Sequence, residues 1–236
     1  MSYEELLMDG GLNAPSVSKV PVILCLDTSG SMAGDNKINV LIESVHSFFR
    51  DCANDSDLKD SLEVSVITFS SQAETKIAFT PIKNILEQDL LLKASGSTNL
   101  VDALKISIES LAERKKLYKD EGIPYFQPWL ILMTDGELDG GISEEYQKIA
   151  AEVKELSTSD SLVVNPIAFG SDAEEAGQAL KLLHKSEVYF HISQIEKFKQ
   201  YFEWLKQSTK AVSQSKTGDT LTLTDPSKLG IFELKL

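Results

Sequence analysis

Residues 20–26, Val20-Pro21-Val22-Ile23-Leu24-Cys25-Leu26, form an unbroken apolar run that stops at an acid, Asp27. A strand wetted on one face alternates polar and apolar residues, so an uninterrupted run implies cover on both faces, as inside a parallel sheet. After the loop 27–35, Ile38, Leu41, Ile42, Val45, Phe48 and Phe49 recur at three-to-four spacing. That spacing predicts a helix, capped at Asp35 or Asn36. The alternation continues down the chain. Strand-like runs lie at 62–69, 129–133, 162–169 and 188–191, and helical patterns at 100–111, 144–156, 173–183 and 195–212. Residues 73–79 follow the second strand too closely for a helical crossover, which predicts an antiparallel edge strand returning as a hairpin.

The expected fold is therefore α/β: a doubly wound, Rossmann-like, mostly parallel sheet of six strands with one antiparallel edge strand and helices on both faces. Right-handed crossovers leave few topologies open, and the order 3-2-1-4-5-6 is expected. At 236 residues the chain fits one such domain. Its expected limits are 20–212, with an N-terminal docking arm at 1–19, interrupted by Gly10-Gly11, and a C-terminal tail at 213–236. Within the tail, Thr220-Leu221-Thr222-Leu223-Thr224 alternates as an added strand would, against the sheet edge or against another chain.

In an open sheet of this kind, ligands sit beyond the carboxyl ends of the strands where the winding reverses, here between the first and fourth strands. The residues at those two ends are acids, Asp27 and Asp135. The loop Asp27-Thr28-Ser29-Gly30-Ser31-Met32 adds two hydroxyls at alternate positions, with Gly30 allowing a tight turn between them. A third hydroxyl, Thr98, stands in Ser95-Gly96-Ser97-Thr98-Asn99 at the mouth of the next long helix. Three separated segments thus converge with oxygen donors only. Without thiolate or imidazole, such a set suits a hard cation, magnesium or manganese, rather than zinc or copper.

Each residue also has a plainer reading. Asp and Ser bond their own backbones in turns, Thr98 could cap the following helix, and Asp135 could close a turn before Gly136. The joint placement at strand ends favours the metal. Glu137 and Asp139 near the mouth read as a solvated acidic rim. His46, His184 and His191 are dispersed over different elements and read as surface or satisfied core residues. Tyr189, Phe190, Phe198, Tyr201, Phe202 and Trp204 read as packing on the sheet rather than as a docking patch.

The five positions Asp27, Ser29, Ser31, Thr98 and Asp135 resemble the metal-ion-dependent adhesion site (MIDAS) of von Willebrand factor A domains, Asp-x-Ser-x-Ser with a distant Thr and a distant Asp. The resemblance covers about 21–212. It implies that Ser29, Ser31 and Thr98 touch the metal, that Asp27 and Asp135 act through hydrogen bonds behind them, and that a partner's Glu or Asp completes the coordination. Residues 21–32, 129–137 and 201–205 are similar to one branch in particular, the bacterial tellurium-resistance TerY-type proteins. That branch implies a cytoplasmic role in stress response or defence, often alongside a phosphatase and a kinase.

The formal net charge of −13 disfavours nucleic acid and anionic membranes as partners. Arg114-Lys115-Lys116 and the lysines of 197–210 are interleaved with acids, as on solvated helix faces. Met1-Ser2-Tyr3-Glu4-Glu5 lacks the basic and apolar regions of a secretory signal, no apolar run nears the ~20 residues of a membrane helix, and two cysteines read as free thiols. The cytoplasm is expected.

The expected function is a metal-dependent protein-interaction module, an adaptor rather than an enzyme. One rival is a magnesium-dependent phosphotransferase of haloacid dehalogenase type, but its Asp-x-Asp has Ser29 in the second place here. Another is a von Willebrand A subunit of an ATP-driven chelatase or remodelling complex, whose ATPase would be a separate protein because no Walker motif is present. Serine hydrolase and dinucleotide-binding motifs are also absent.

Overall fold

The structure is a computed structural model that describes residues 17–85, 90–136, 138, 140–170, 173–194, 196–216, 228, 230, 231 and 233–235. Its strands are β1 (Val20–Asp27), β2 (Leu62–Phe69), β3 (Ala73–Pro81), β4 (Trp129–Thr134), β5 (Val163–Phe169), β6 (Tyr189–Ile192) and β7 (Glu233–Lys235). Its helices are α1 (Lys37–Ala53), α2 (Leu100–Asp120), α3 (Glu144–Thr158), α4 (Ala173–Leu180) and α5 (Lys197–Gln214). The sheet order is β3-β2-β1-β4-β5-β6-β7. The expected class and order hold, and a seventh strand extends the six that the sequence suggests.

Why β1 is apolar throughout is visible in where its residues point. Val20, Val22, Leu24 and Leu26 enter the layer filled by α1 and α5, with Leu41, Val45, Phe49, Phe198, Tyr201 and Leu205. Ile23 and Cys25 enter the opposite layer, against Leu104 of α2 and Tyr146 and Val153 of α3. Successive side chains of a strand face opposite sides, so two covered faces require apolar residues at every position. Emptying one such site, as in Leu24→Ala, costs about 2 to 5 kcal/mol.

The central strands β1, β2, β4, β5 and β6 run parallel, whereas β3 pairs antiparallel to β2 and β7 antiparallel to β6. Both edges are therefore antiparallel, where one was expected. The alternating stretch 220–224, read as an added strand, lies outside the described residues. The strand that caps the β6 edge is formed farther on, at Glu233–Lys235. At the other limit, residues 1–16 of the expected arm also lie outside the described residues, and Lys19 is bridged to Tyr125 beside β1.

Aromatic residues placed on the sheet by their spacing are indeed packed. Phe198, Tyr201 and Phe202 are buried, and Phe169 meets Phe198 edge-on at 4.6 Å between centroids. Cys25 and Cys52 are both free and buried, and burial pushes the Cys25 thiol up to about 12, too high for reactivity. No described helix is long and apolar enough to cross a membrane.

Candidate metal centre

Backbone hydrogen bonds stitch the loops above β1, β2 and the start of α2 into one rim. Thr28 N–H donates to the Phe69 carbonyl at 2.8 Å, Ser95 N–H to Thr28 at 2.9 Å and Asn99 N–H to Ser70 at 2.7 Å. Gly30 N–H donates to the Gly96 carbonyl at 2.9 Å. A Cβ on Gly30 would stand 3.3 Å from that carbonyl, a tight contact, so glycine here eases close approach of the two loops rather than an unusual turn. Gly96 is needed more strongly: its φ is +81°, and a Cβ there would lie 2.4 Å from Ser71 Oγ.

The plain reading of Thr98 as a helix cap does not hold. Asn99 is the cap of α2, accepting from Asp102 N–H at 3.2 Å. Thr98 is nearly buried, at 8% exposure, and its hydroxyl makes no hydrogen bond among the described residues. The expected side-chain cap of α1 is also different. Asn36 stands at the cap position in a left-handed conformation and accepts from the Asn39 side chain at 2.6 Å rather than from the helix backbone.

The two acids lie at the strand ends with their oxygens engaged. Asp27 Oδ1 accepts from Ser29 N–H at 2.7 Å, and Oδ2 accepts from the Thr134 hydroxyl at 2.6 Å. Asp135 Oδ1 accepts from the Ser31 hydroxyl at 2.6 Å, and Oδ2 accepts from Lys37 Nζ at 2.6 Å. Ser29 Oγ lies 3.0 Å from Ser31 Oγ. One hydrogen-bonded chain thus joins Ser29, Ser31, Asp135 and Lys37. A Cβ on Gly136 would come within 3.6 Å of Ser31 Oγ, so the β4 loop closes over the same spot.

Asp27 and Asp135 are 0% and 1% exposed, whereas Ser31 is exposed, so the carboxylates sit beneath a surface of hydroxyls. Burial pushes the Asp27 carboxyl up to about 6. Hydrogen bonds from Ser29 and Thr134 oppose that rise, and the nearby charge of Asp135 adds to it. Of the two buried carboxylates, Asp135 is thus paired with Lys37, and Asp27 is paired with no cation among the described residues. No group of three or more His, Cys, Asp or Glu that could hold a metal occurs among the described residues.

Two participants escaped the sequence reading, Lys37 and Thr134. Thr134 directly precedes Asp135 and reaches across to Asp27, a contact between residues 107 positions apart. Lys37 had a signal of its own. A cation in the first turn of a helix opposes the macrodipole, so a lysine opening α1 calls for a nearby anion. The remaining candidates are elsewhere or undescribed: Glu137 and Asp139 lie outside the described residues. His46 Nε2 lies 3.2 Å from the Leu90 carbonyl, and His184 Nδ1 accepts from Ser186 N–H at 3.1 Å. His191 Nε2 lies 3.1 Å from the Gly170 carbonyl.

The von Willebrand factor type A domain matches residues 22–206. The chain belongs to that family. Von Willebrand A domains are metal-dependent protein-interaction modules in general rather than enzymes. The vWF domain of the type V pili tip protein Mfa5 from Porphyromonas gingivalis aligns with a TM-score of 0.65 at 13% identity, over 87% of this chain and 99% of that one. Proximal thread matrix protein 1 from the mussel byssus, in a structure whose MIDAS motif is occupied by zinc, aligns with a TM-score of 0.55 at 18% identity. That alignment covers 82% of this chain and 48% of the mussel protein. Among curated proteins, calcium-activated chloride channel regulator 1 of Macaca mulatta is 29% identical over 174 residues, 71% of this chain. The match spans 17% of the length of that relative.

Proposed function

We propose that this von Willebrand A protein is an adaptor that grips a partner protein through a divalent cation held by Ser29, Ser31 and Thr98, with Asp27 and Asp135 behind them. The observation that carries the reading is the charge balance of the mouth: Asp27 and Asp135 are both buried, and among the described residues only Asp135 is paired with an ammonium, that of Lys37. An oxygen-only donor set fits magnesium or manganese, hard cations that take about six oxygens and keep water readily. All four carboxylate oxygens already accept hydrogen bonds, which suits them to orienting hydroxyls and water rather than to direct ligation. A bound dication would supply an electrophilic position for an incoming carboxylate.

Binding fits this site better than catalysis. The phosphotransferase alternative needs Asp27 as an accessible nucleophile, yet Asp27 is 0% exposed with both oxygens occupied. The formal charge of −13 disfavours nucleic acid and anionic lipid, and it makes the cation the local means of attracting an acidic protein surface. The TerY-like segments 21–32, 129–137 and 201–205 support a cytoplasmic role in tellurium resistance, stress response or defence, with a co-encoded phosphatase or kinase as partner. In this reading the module spans 20–212, flanked by the arm 1–19 and the tail 213–236.

The test is capture of partners from the native cell with magnesium and with chelator, using wild type, Ser29→Ala and Thr98→Ala. Partners should be retained by wild type only with metal and weakened more than about tenfold by either substitution, the scale of a lost desolvated charged contact. Capture indifferent to chelator and to both substitutions would assign partner binding to another face.

A further inference from the structure

Lys37, like Thr134, is a residue of this site that neither the MIDAS pattern nor the family match assigns. It opens α1, where the exposed backbone N–H groups already carry partial positive charge. Its Nζ nevertheless lies 2.6 Å from Asp135 Oδ2, with the two side chains 13% and 0% exposed. The other oxygen of the same carboxylate receives the Ser31 hydroxyl. An ammonium and the hydroxyl proposed to hold the metal thus share one carboxylate.

We infer that Lys37 sets the metal affinity of the site: it holds Asp135 in place and competes with the cation for that carboxylate's charge. The inference rests on the metal-binding reading above. With Asp135 already balanced by Lys37, the uncompensated negative charge of the mouth is that of Asp27 alone. Like charges held close in a partly buried site repel far more than in water, so the ammonium weakens the binding of a dication. An incoming partner carboxylate adds negative charge back to the mouth. Cation and partner therefore strengthen each other's binding, reciprocally and by the same factor. Free protein binds metal loosely, and the complex binds it well.

A merely structural lysine predicts the opposite sign. If Lys37 served only to position Asp135, removing it would loosen the site and lower metal affinity. Competition predicts that removal raises affinity while destabilising the metal-free protein, because Asp27 and Asp135 then lie buried without a cation.

Manganese titration of the isolated protein, by calorimetry or by the paramagnetic resonance of free Mn2+, separates the two for wild type, Lys37→Met and Lys37→Arg. Thermal melts with and without Mn2+ accompany each titration. Lys37→Met should bind Mn2+ about tenfold more tightly than wild type, the scale expected when a nearby like charge is removed. It should melt lower without metal and gain more on metal addition, while Lys37→Arg stays within about twofold of wild type because the charge is kept. Should Lys37→Met fail to fold, Lys37→Gln keeps a donor for Asp135 and carries the same expectation. Unchanged or weaker binding by the folded neutral variant, with wild type binding measurably, overturns the role of Lys37 and leaves the metal site standing. Absence of Mn2+ binding in wild type and every variant overturns the site and this inference together.

Discussion

The two ends of the parallel sheet handle buried acid in opposite ways. At the amino end, Glu63 of β2 is 3% exposed and fully compensated: Arg114 bonds it through Nε at 2.8 Å and through its terminal nitrogen. The Tyr118 hydroxyl donates to the same carboxylate, and Lys19 Nζ stands 3.7 Å away. One carboxylate there meets two cations. At the carboxyl end, of the two carboxylates Asp27 and Asp135, only Asp135 is paired with a cation among the described residues, Lys37. A buried charge is tolerated when paired and costly when not, so the first end is complete as it stands and the second, among the described residues, is short of positive charge. The difference is between an acid whose charge the fold balances and a pair of acids whose charge it balances only in part among the described residues.

The largest expected effect falls at the complete end. Arg114→Met should destabilise the protein by about 2 to 3 kcal/mol, below the full cost of breaking a buried pair because Arg114 is 20% exposed and Lys19 remains. Urea denaturation would measure it, and metal affinity of the folded variant should not change. Unchanged stability would mean that Glu63 is not a structural acid and would remove one side of the comparison.

At the deficient end the expectation reverses. Thr98→Ala removes a hydroxyl without a described partner, so stability should stay within about 0.5 kcal/mol. Metal affinity should fall about tenfold, or about 1.4 kcal/mol. Loss of stability without loss of metal would make Thr98 a packing residue.

How far the sequence revealed these two ends differs for physical reasons. Apolar runs and helical spacings report burial directly, so the strand order and the placement of Asp27 and Asp135 at the winding switch were legible. Ser29 and Ser31 were legible because alternate residues face one side. The pairing of Lys37 with Asp135 joins residues 98 positions apart, and no local periodicity records such a contact. Glu63 shows the same limit, since an acid inside an otherwise apolar strand discloses its partner only when α2 is docked. The seventh strand was hidden for another reason. Glu233–Lys235 is three residues long and largely exposed, too short to show an alternating pattern.

A smaller effect tests how the rim is held. Gly96→Ala forces a side chain into a left-handed conformation against Ser71, which should cost about 1 kcal/mol and shift Thr98. Metal affinity should fall with stability in this variant, unlike Thr98→Ala, where only affinity falls. Equal affinity in Gly96→Ala and wild type would mean that the rim tolerates displacement.

The smallest effect belongs to a peripheral pair. Lys210 Nζ lies 2.8 Å from Asp55 Oδ2, and its hydrogen bond holds the Asp55 carboxyl below the ordinary range. A carboxyl whose folded value is depressed contributes stability above its unfolded value, and that contribution is lost as pH falls through the folded value. Lys210→Met should therefore flatten the dependence of the urea midpoint on pH below about 4 without altering metal binding. An unchanged slope would show that this pair, unlike Glu63 with Arg114, contributes nothing to the fold.

The most direct test of the contrast is calorimetric magnesium and manganese titration of Asp135→Asn beside Glu63→Gln, each removing one buried charge with little change of shape. Metal affinity should fall by more than about tenfold in Asp135→Asn and stay within about twofold of wild type in Glu63→Gln. Wild-type affinity in Asp135→Asn, or an equal loss in folded Glu63→Gln, would contradict the claim that the carboxyl end of the sheet is built to take a cation.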